Sequence, residues 1–193
     1  DEDILTSRSL LKKGVAITKL ISNLIVDKSI DPDDLLMGDR NSIIITARAS
    51  AYGSTYDTSV TCPSCGAQSN HSFDLKSPKV YYGDETEDFV VQRIENGNYL
   101  IQLPYSGLIA EVKLLRGKDE TKLLKKIQAQ NKNKNQPDNM ITDQMRAFVV
   151  AVNGDSAPKT IDYFVNNLVV QESRYLRNAF KALTPDLQIS DDF

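Results

Sequence analysis

The residues of this chain best placed to do chemistry are Cys62 and Cys65, the only two cysteines among 193 residues, set in Thr61-Cys62-Pro63-Ser64-Cys65-Gly66. Two thiolates at this spacing can face one tetrahedral Zn²⁺, because a tight turn between them points both sulfurs the same way. Pro63 fixes one φ of that turn, and Gly66 is free to take φ > 0. A structural zinc takes four ligands, so two cysteines leave the set incomplete. His71, the only histidine, is a candidate third ligand. Along an extended strand, however, it lies roughly 16 Å from Cys65, which makes it a polar strand residue and sends the search for ligands to another chain or to further sequence. A second use of the pair is thiol–disulfide exchange, which places the first thiol at a helix N-terminus to lower its pKa; Gly66-Ala67-Gln68-Ser69-Asn70 shows no amphipathic helix. A third is two ordinary thiols that keep a turn in shape.

The elements that must position the pair are legible on either side. Residues 54–61 alternate before the turn and residues 70–75 alternate after it, with His71, Phe73 and Leu75 on one face, so a β-hairpin is expected. A strand–CPxCG–strand unit is half of a zinc ribbon. Upstream, residues 2–13 carry Leu5, Leu10 and Leu11 and stop at Gly14, and Ile17, Leu20, Ile21, Leu24 and Ile25 form one apolar helical stripe. Asp31-Pro32 restarts the chain, and a third helix is expected after Asp39, carrying Ile43, Ile44, Ala47 and Ala51 and ending near Gly53. Downstream, Asp84, Glu85, Glu87 and Asp88 mark an acidic loop, as solvated charge or as a docking surface, and strands over 89–94 and 99–103 flank Asn96-Gly97, a hairpin signal. Residues 108–115 add a third strand.

From Gly117 the pattern turns helical. Asp119 is placed to cap a helix with Leu123, Leu124 and Ile127 inward and Lys122, Lys125 and Lys126 outward. Residues 131–137 read as a polar loop, and residues 142–152 as a helix with Ile141, Met145, Phe148, Val149 and Val152 at helical spacing. A further helix starts at Pro158 with Ile161, Phe164, Val165 and Leu168 inward. The last starts near Ser173 with Leu176, Ala179, Phe180 and Leu183 inward and stops before Thr184-Pro185. The fold class expected is α+β: N-terminal helices over 1–53, a zinc-ribbon-like hairpin with a small antiparallel sheet over 54–116, and a C-terminal helical bundle over 117–193.

Composition narrows the function. Ordinary hydrophobic content (40%) makes the chain globular, and a net charge of −3 argues against a surface built for phosphate contacts. No apolar run is long enough to span a bilayer, so no membrane is expected, and the start at Asp1 reads as an incomplete or processed N-terminus. The most basic stretch, Lys113, Arg116, Lys118, Lys122, Lys125, Lys126, Lys132 and Lys134, lacks interleaved aromatics and reads as a solvated face, not a nucleic-acid surface. Arg174, Arg177 and Lys181 share the outer face of the last helix, as solvated charge or as a contact for an acidic partner. With one histidine and no GxSxG, Walker or GxGxxG motif, no enzyme is expected; Asp33-Asp34 and Asp191-Asp192 sit in turns.

Several stretches together resemble one family, the baseplate hub and hub-assembly proteins of T4-like contractile-tailed bacteriophages. They are Glu2-Asp3-Ile4-Leu5-Thr6, Leu35-Leu36-Met37-Gly38-Asp39-Arg40-Asn41, Ala51-Tyr52-Gly53-Ser54-Thr55-Tyr56, Val60-Thr61-Cys62-Pro63-Ser64-Cys65-Gly66, Ser173-Arg174-Tyr175-Leu176-Arg177 and Thr184-Pro185-Asp186. The resemblance implies a non-enzymatic protein that builds the baseplate hub through contacts with other hub or tail proteins, or by self-association. It would be made in the host cytoplasm and be found in the virion tail. Some relatives carry a second Cys pair after the position of Thr184-Pro185; this sequence has none there. The rival from another class is a zinc-ribbon adaptor that binds nucleic acid, and a thiol oxidoreductase is third.

Overall fold

The computed structural model describes residues 15–62, 64–76, 78–132 and 140–188. The helix expected over 2–13, most of the polar segment ending at Pro137 and the Asp191-Asp192 turn lie outside these. Six helices and three antiparallel sheets of four, two and two strands make up the described fold.

Helix α1 (Ala16–Leu24) buries Ile21 completely. A 3₁₀ turn (Pro32–Asp34) follows, with Pro32 at its first position and the Asp31 carboxylate accepting the Asp33 N–H. Helix α2 (Met37–Tyr52) starts two residues before Asp39 and ends at Gly53, whose φ of 87° only glycine adopts cheaply. Strands β1 (Thr55–Thr61) and β2 (Gln68–Asp74) form the expected hairpin and pair with no other strand among the described residues.

The central sheet runs in the order β4 (Val91–Arg93), β5 (Tyr99–Gln102), β6 (Ile109–Val112) and β7 (Val149–Val152). The hairpin at Asn96-Gly97 forms, with Glu95, Asn96 and Gly97 between Ile94 and Asn98. A type I turn closed by the Gly97 N–H on Ile94 O leads into Gly97 at φ 84°, a bulge geometry and not the two-residue turn that Asn-Gly alone suggests.

Strand β7 corrects an expectation. The helix predicted over 142–152 is α4 (Met140–Phe148), which hands over to a strand at Val149. Val149-Val150-Ala151-Val152 is rich in β-branched residues and almost entirely buried, and apolar spacing alone cannot separate a buried strand from a helix turn. Glu111 pairs with Ala151 and Val112 with Val149, so Val150 is the extra residue of a bulge. Helices α4, α5 (Pro158–Asn167) and α6 (Val170–Leu183) share one core with this sheet, with Ile101, Val112, Phe148, Phe164 and Leu176 at its centre. Phe148 and Phe180 stack within it at 4.0 Å.

Helix α3 (Gly117–Lys132) also departs from expectation. It begins two residues before Asp119, which therefore sits in the third helical position. From there its carboxylate reaches back to the Arg116 N–H (3.1 Å), the return half of a capping box. Leu124 is 38% exposed and not inward, because α3 packs mainly on α4 and the 3₁₀ turn, too narrow a contact for the whole stripe. The third sheet pairs β3 (Lys79–Tyr81) with β8 (Asp186–Gln188), joining parts of the chain more than a hundred residues apart.

Candidate functional site

The hairpin carries the cysteines at its tip. The ladder runs from Thr55↔Asp74 to Thr61↔Gln68, and beyond it the Cys62 N–H bonds Ala67 O and the Gly66 N–H bonds Cys62 O, both at 2.9 Å. Gly66 takes φ 72°, as its position after the CxxC turn requires. Both cysteines are exposed and reduced. The Cys65 backbone N–H, then that of Ser64 and then the Cys65 thiol, bond the Cys62 sulfur and hold its pKa below the usual thiol range. His71 pairs with Thr58, three registers in from the end of the ladder, and packs edge-on against Phe73. Among the described residues no three His, Cys, Asp or Glu side chains cluster as a metal site.

At the base of the hairpin a second feature emerges that periodicity does not reveal. The Arg48 guanidinium lies 5.1 Å from the Tyr52 ring and 5.8 Å from the Tyr56 ring, and donates to Gly53 O at 3.2 Å. Tyr52 is 76% exposed and Tyr56 is exposed as well. The sharp turn at Gly53 is what brings an aromatic at the end of α2 and one in β1 to the same arginine.

Arg40 is the third feature. It is 2% exposed, and its Nη1 donates to Pro32 O at 2.8 Å and meets Asp33 Oδ1 at 3.3 Å. Its Nη2 reaches Thr18 Oγ1 at 3.2 Å and Glu120 Oε2 at 3.5 Å. One guanidinium thereby ties α1, the 3₁₀ turn, α2 and α3. A Cβ on Gly117 would lie 2.2 Å from Arg40 Nη1, so a larger residue where α3 starts would have to displace the buried guanidinium.

The basic residues are largely engaged. Lys113 bonds Asp119, Lys118 bonds Asp34, Lys126 bonds Asp143, and Arg116 Nη1 donates to Asp34 O. On α6, Arg174 and Lys181 are exposed, while Arg177 is half-buried with its Nε on Ser173 O; Leu176, Ala179 and Leu183 fill the opposite face. The arginines therefore lie on the outer side of this helix, remote in sequence from the cysteine tip, and the structure assigns them no contact with it.

Residues 2–189 match the family described as T4 bacteriophage base plate protein. The chain belongs to this family. No curated protein and no solved structure matches it. In this base plate protein two of the stretches that carry the family resemblance meet in space. A Cβ on Gly38 would sit 2.3 Å from Pro185 O, and Asn41 Nδ2 donates to Asp186 Oδ1 at 3.0 Å, so the start of α2 is notched to receive Thr184-Pro185-Asp186. Among the described residues of the base plate protein no helix is long and apolar enough to cross a membrane.

Proposed function

We propose that this base plate protein is a hub subunit or hub-assembly factor that acts by docking other tail proteins, in the host cytoplasm during assembly and in the tail thereafter. Its role in this reading is structural and not catalytic. The observation that carries it is the hairpin: two strands with no third among the described residues, mostly exposed on both faces, and flanked by the exposed Tyr52–Arg48–Tyr56 ladder. An isolated two-stranded hairpin is marginal in water, and exposed Tyr and Arg are the side chains that most often dominate binding energy once a partner covers them. The outer face of α6, with Arg174, Arg177 and Lys181, suits an acidic surface on such a partner.

Co-expression with the other hub proteins of the same phage tests this. A complex should co-purify, and Arg48→Ala with Tyr52→Ala should weaken it about tenfold or more without lowering the melting temperature. Failure to co-purify with any hub protein, or indifference of the complex to both changes, would overturn the docking role. A steep salt-dependent affinity for DNA would favour the nucleic-acid adaptor instead.

A further inference from the structure

We infer that the outer edge of β2 pairs with the same edge of a second copy of this chain, joining two hairpins into one four-stranded antiparallel sheet about a twofold axis. The inference concerns an edge of the hairpin and not the Tyr52–Arg48–Tyr56 group at its base, so it does not require the docking role.

The edge is open and unguarded. The Cys62 N–H bonds Ala67 O, the Leu75 N–H bonds Ser54 O, and the register between these points is unbroken. Inward bonds in an antiparallel pair fall on alternate residues, so the backbone N–H and C=O groups of Gln68, Asn70, Ser72 and Asp74 point away from β1. No other described strand meets them. Protein edges are usually kept from pairing by shortness, bulges, Pro or charge, Lys above all. The central sheet of this chain shows such devices: its edge strands are β4, three residues long and ending at Arg93, and β7, bent by the bulge at Val150. Strand β2 has seven residues, no Lys, Arg or Pro, and no bulge. A hairpin of two strands is marginal by itself, and further strands relieve that.

The charge pattern selects a second copy, and it selects β2 over β1. In a twofold contact each residue near the axis meets its own image, so any charge there would face a like charge. Residues 58–73 contain no Asp, Glu, Lys or Arg in a chain that is 25% charged. With β2 fully overlapped on its image, the axis passes through His71. Asn70 of one copy then faces Ser72 of the other, and Gln68 faces Asp74, so no like charges are opposed. The same overlap of β1 would centre on Thr58 and set the two Asp57 carboxylates diagonally across the seam. Strand β1 therefore stays on the outside, and the assembly closes at two copies. The twofold axis of an antiparallel pair is perpendicular to its sheet. The partly buried faces bearing Thr58, Val60, His71 and Phe73 thus lie on one side and become a continuous four-stranded surface.

The test uses the full chain under reducing conditions. Analytical ultracentrifugation over a wide concentration range should show a reversible equilibrium between monomer and dimer. Hydrogen exchange at the Asn70 and Ser72 amides should slow as the chain is concentrated, while the Asp57 and Ser59 amides on the outer edge of β1 stay fast. Asn70→Lys puts a charge beside the axis and should weaken the dimer about tenfold or more; Ser59→Lys, on the other edge, should leave it unchanged. Mixing Asn70→Lys with Asn70→Glu separates a lost contact from a loosened hairpin, because opposite charges across the axis should restore a dimer. Arg48→Ala with Tyr52→Ala should leave this dimer intact, and Asn70→Lys should leave other hub proteins bound, so each reading can fail without the other. A chain that stays monomeric at every concentration, or slow exchange at Asn70 and Ser72 that ignores concentration, would overturn the inference. So would a dimer indifferent to Asn70→Lys, one broken by Ser59→Lys, no rescue by the mixed charges, or protection that arises only in complex with another tail protein.

Discussion

The buried guanidinium of Arg40 makes four hydrogen bonds, and its removal should be felt through one particular glycine. Its bond to Pro32 O is short, whereas those to Asp33 and Glu120 are longer and involve carboxylates 35% and 37% exposed, which water can reclaim. Most of the loss in Arg40→Ala therefore comes from the Pro32 carbonyl and the vacated volume, and about 2–4 kcal/mol is expected. At this chain length that corresponds to a fall in Tm on the order of 10 °C. Gly117→Ala attacks the same contact from the other side, since its Cβ would lie 2.2 Å from Nη1 and 2.7 Å from Cζ; it should cost a comparable amount by expelling the arginine. In the Arg40→Ala background nothing remains to be expelled, and Gly117→Ala should become neutral or gain roughly 0.5–1 kcal/mol from the lower entropy cost of alanine in a helix. Urea unfolding of the four proteins closes a double-mutant cycle with a coupling of about 2–3 kcal/mol. Equal costs of Gly117→Ala in both backgrounds, or an Arg40→Ala loss within about 0.5 kcal/mol of zero, would refute the reasoning.

Other consequences are more local. Glu172 is buried on α6 and accepts the Tyr105 and Ser106 N–H groups at 3.2 and 2.6 Å; Glu172→Ala should cost about 1–3 kcal/mol by leaving those donors dry, and faster amide exchange at both residues would mark the cause. Gly38→Ala should push β8 off α2 and destabilise by about 1–3 kcal/mol, and the Asn41 side-chain amide resonances should shift as their bond to Asp186 breaks; an unchanged melt would count against the notch. Burial raises the Tyr81 pKa above the usual value near 10. Because the folded chain then holds this proton more tightly than the unfolded one, the contribution is complete below about pH 10 and is lost as pH climbs through the raised value. The stability gap between wild type and Tyr81→Phe should accordingly stay level to about pH 10 and narrow beyond it; a gap that widens in alkali would contradict the sign.

Elements fixed by local pattern were readable from the residues. The cysteine hairpin, the strands around Asn96-Gly97 and the stripes of α5 and α6 all depend on neighbours within a few positions and formed close to where expected, with α6 starting at Val170 and not Ser173; α1 also formed, but Ile17 of its expected stripe is 40% exposed. Missed features depend on distant partners. Val149-Val150-Ala151-Val152 becomes a strand because β6 offers an edge, and Lys79-Val80-Tyr81 does so because residues 186–188 return to it. The same distinction divides the candidate sites. Cysteine spacing announces the tip, but nothing in the string Ala47-Arg48-Ala49 says that a bend at Gly53 will fold two tyrosines onto that arginine. Nor does composition show that Lys113, Lys118 and Lys126 of the basic stretch each meet a carboxylate.

The ladder between β3 and β8 sets an order of events during synthesis. Helix α2 is complete once residue 52 has been made, but the notch at its Gly38 and the edge of β3 wait for the strand spanning Asp186–Gln188. Local helices and hairpins form within microseconds, whereas contacts across so long a loop form late. A nascent chain therefore holds both ends of this seam open until residues 186–188 emerge from the ribosome, and the Arg40 tie to Glu120 likewise waits for α3. The helices and hairpins made earlier have to stay soluble in the meantime, with the α2 notch empty. A chain cut short before residue 186 would retain its cysteine hairpin while losing the strand that locks α2 in place.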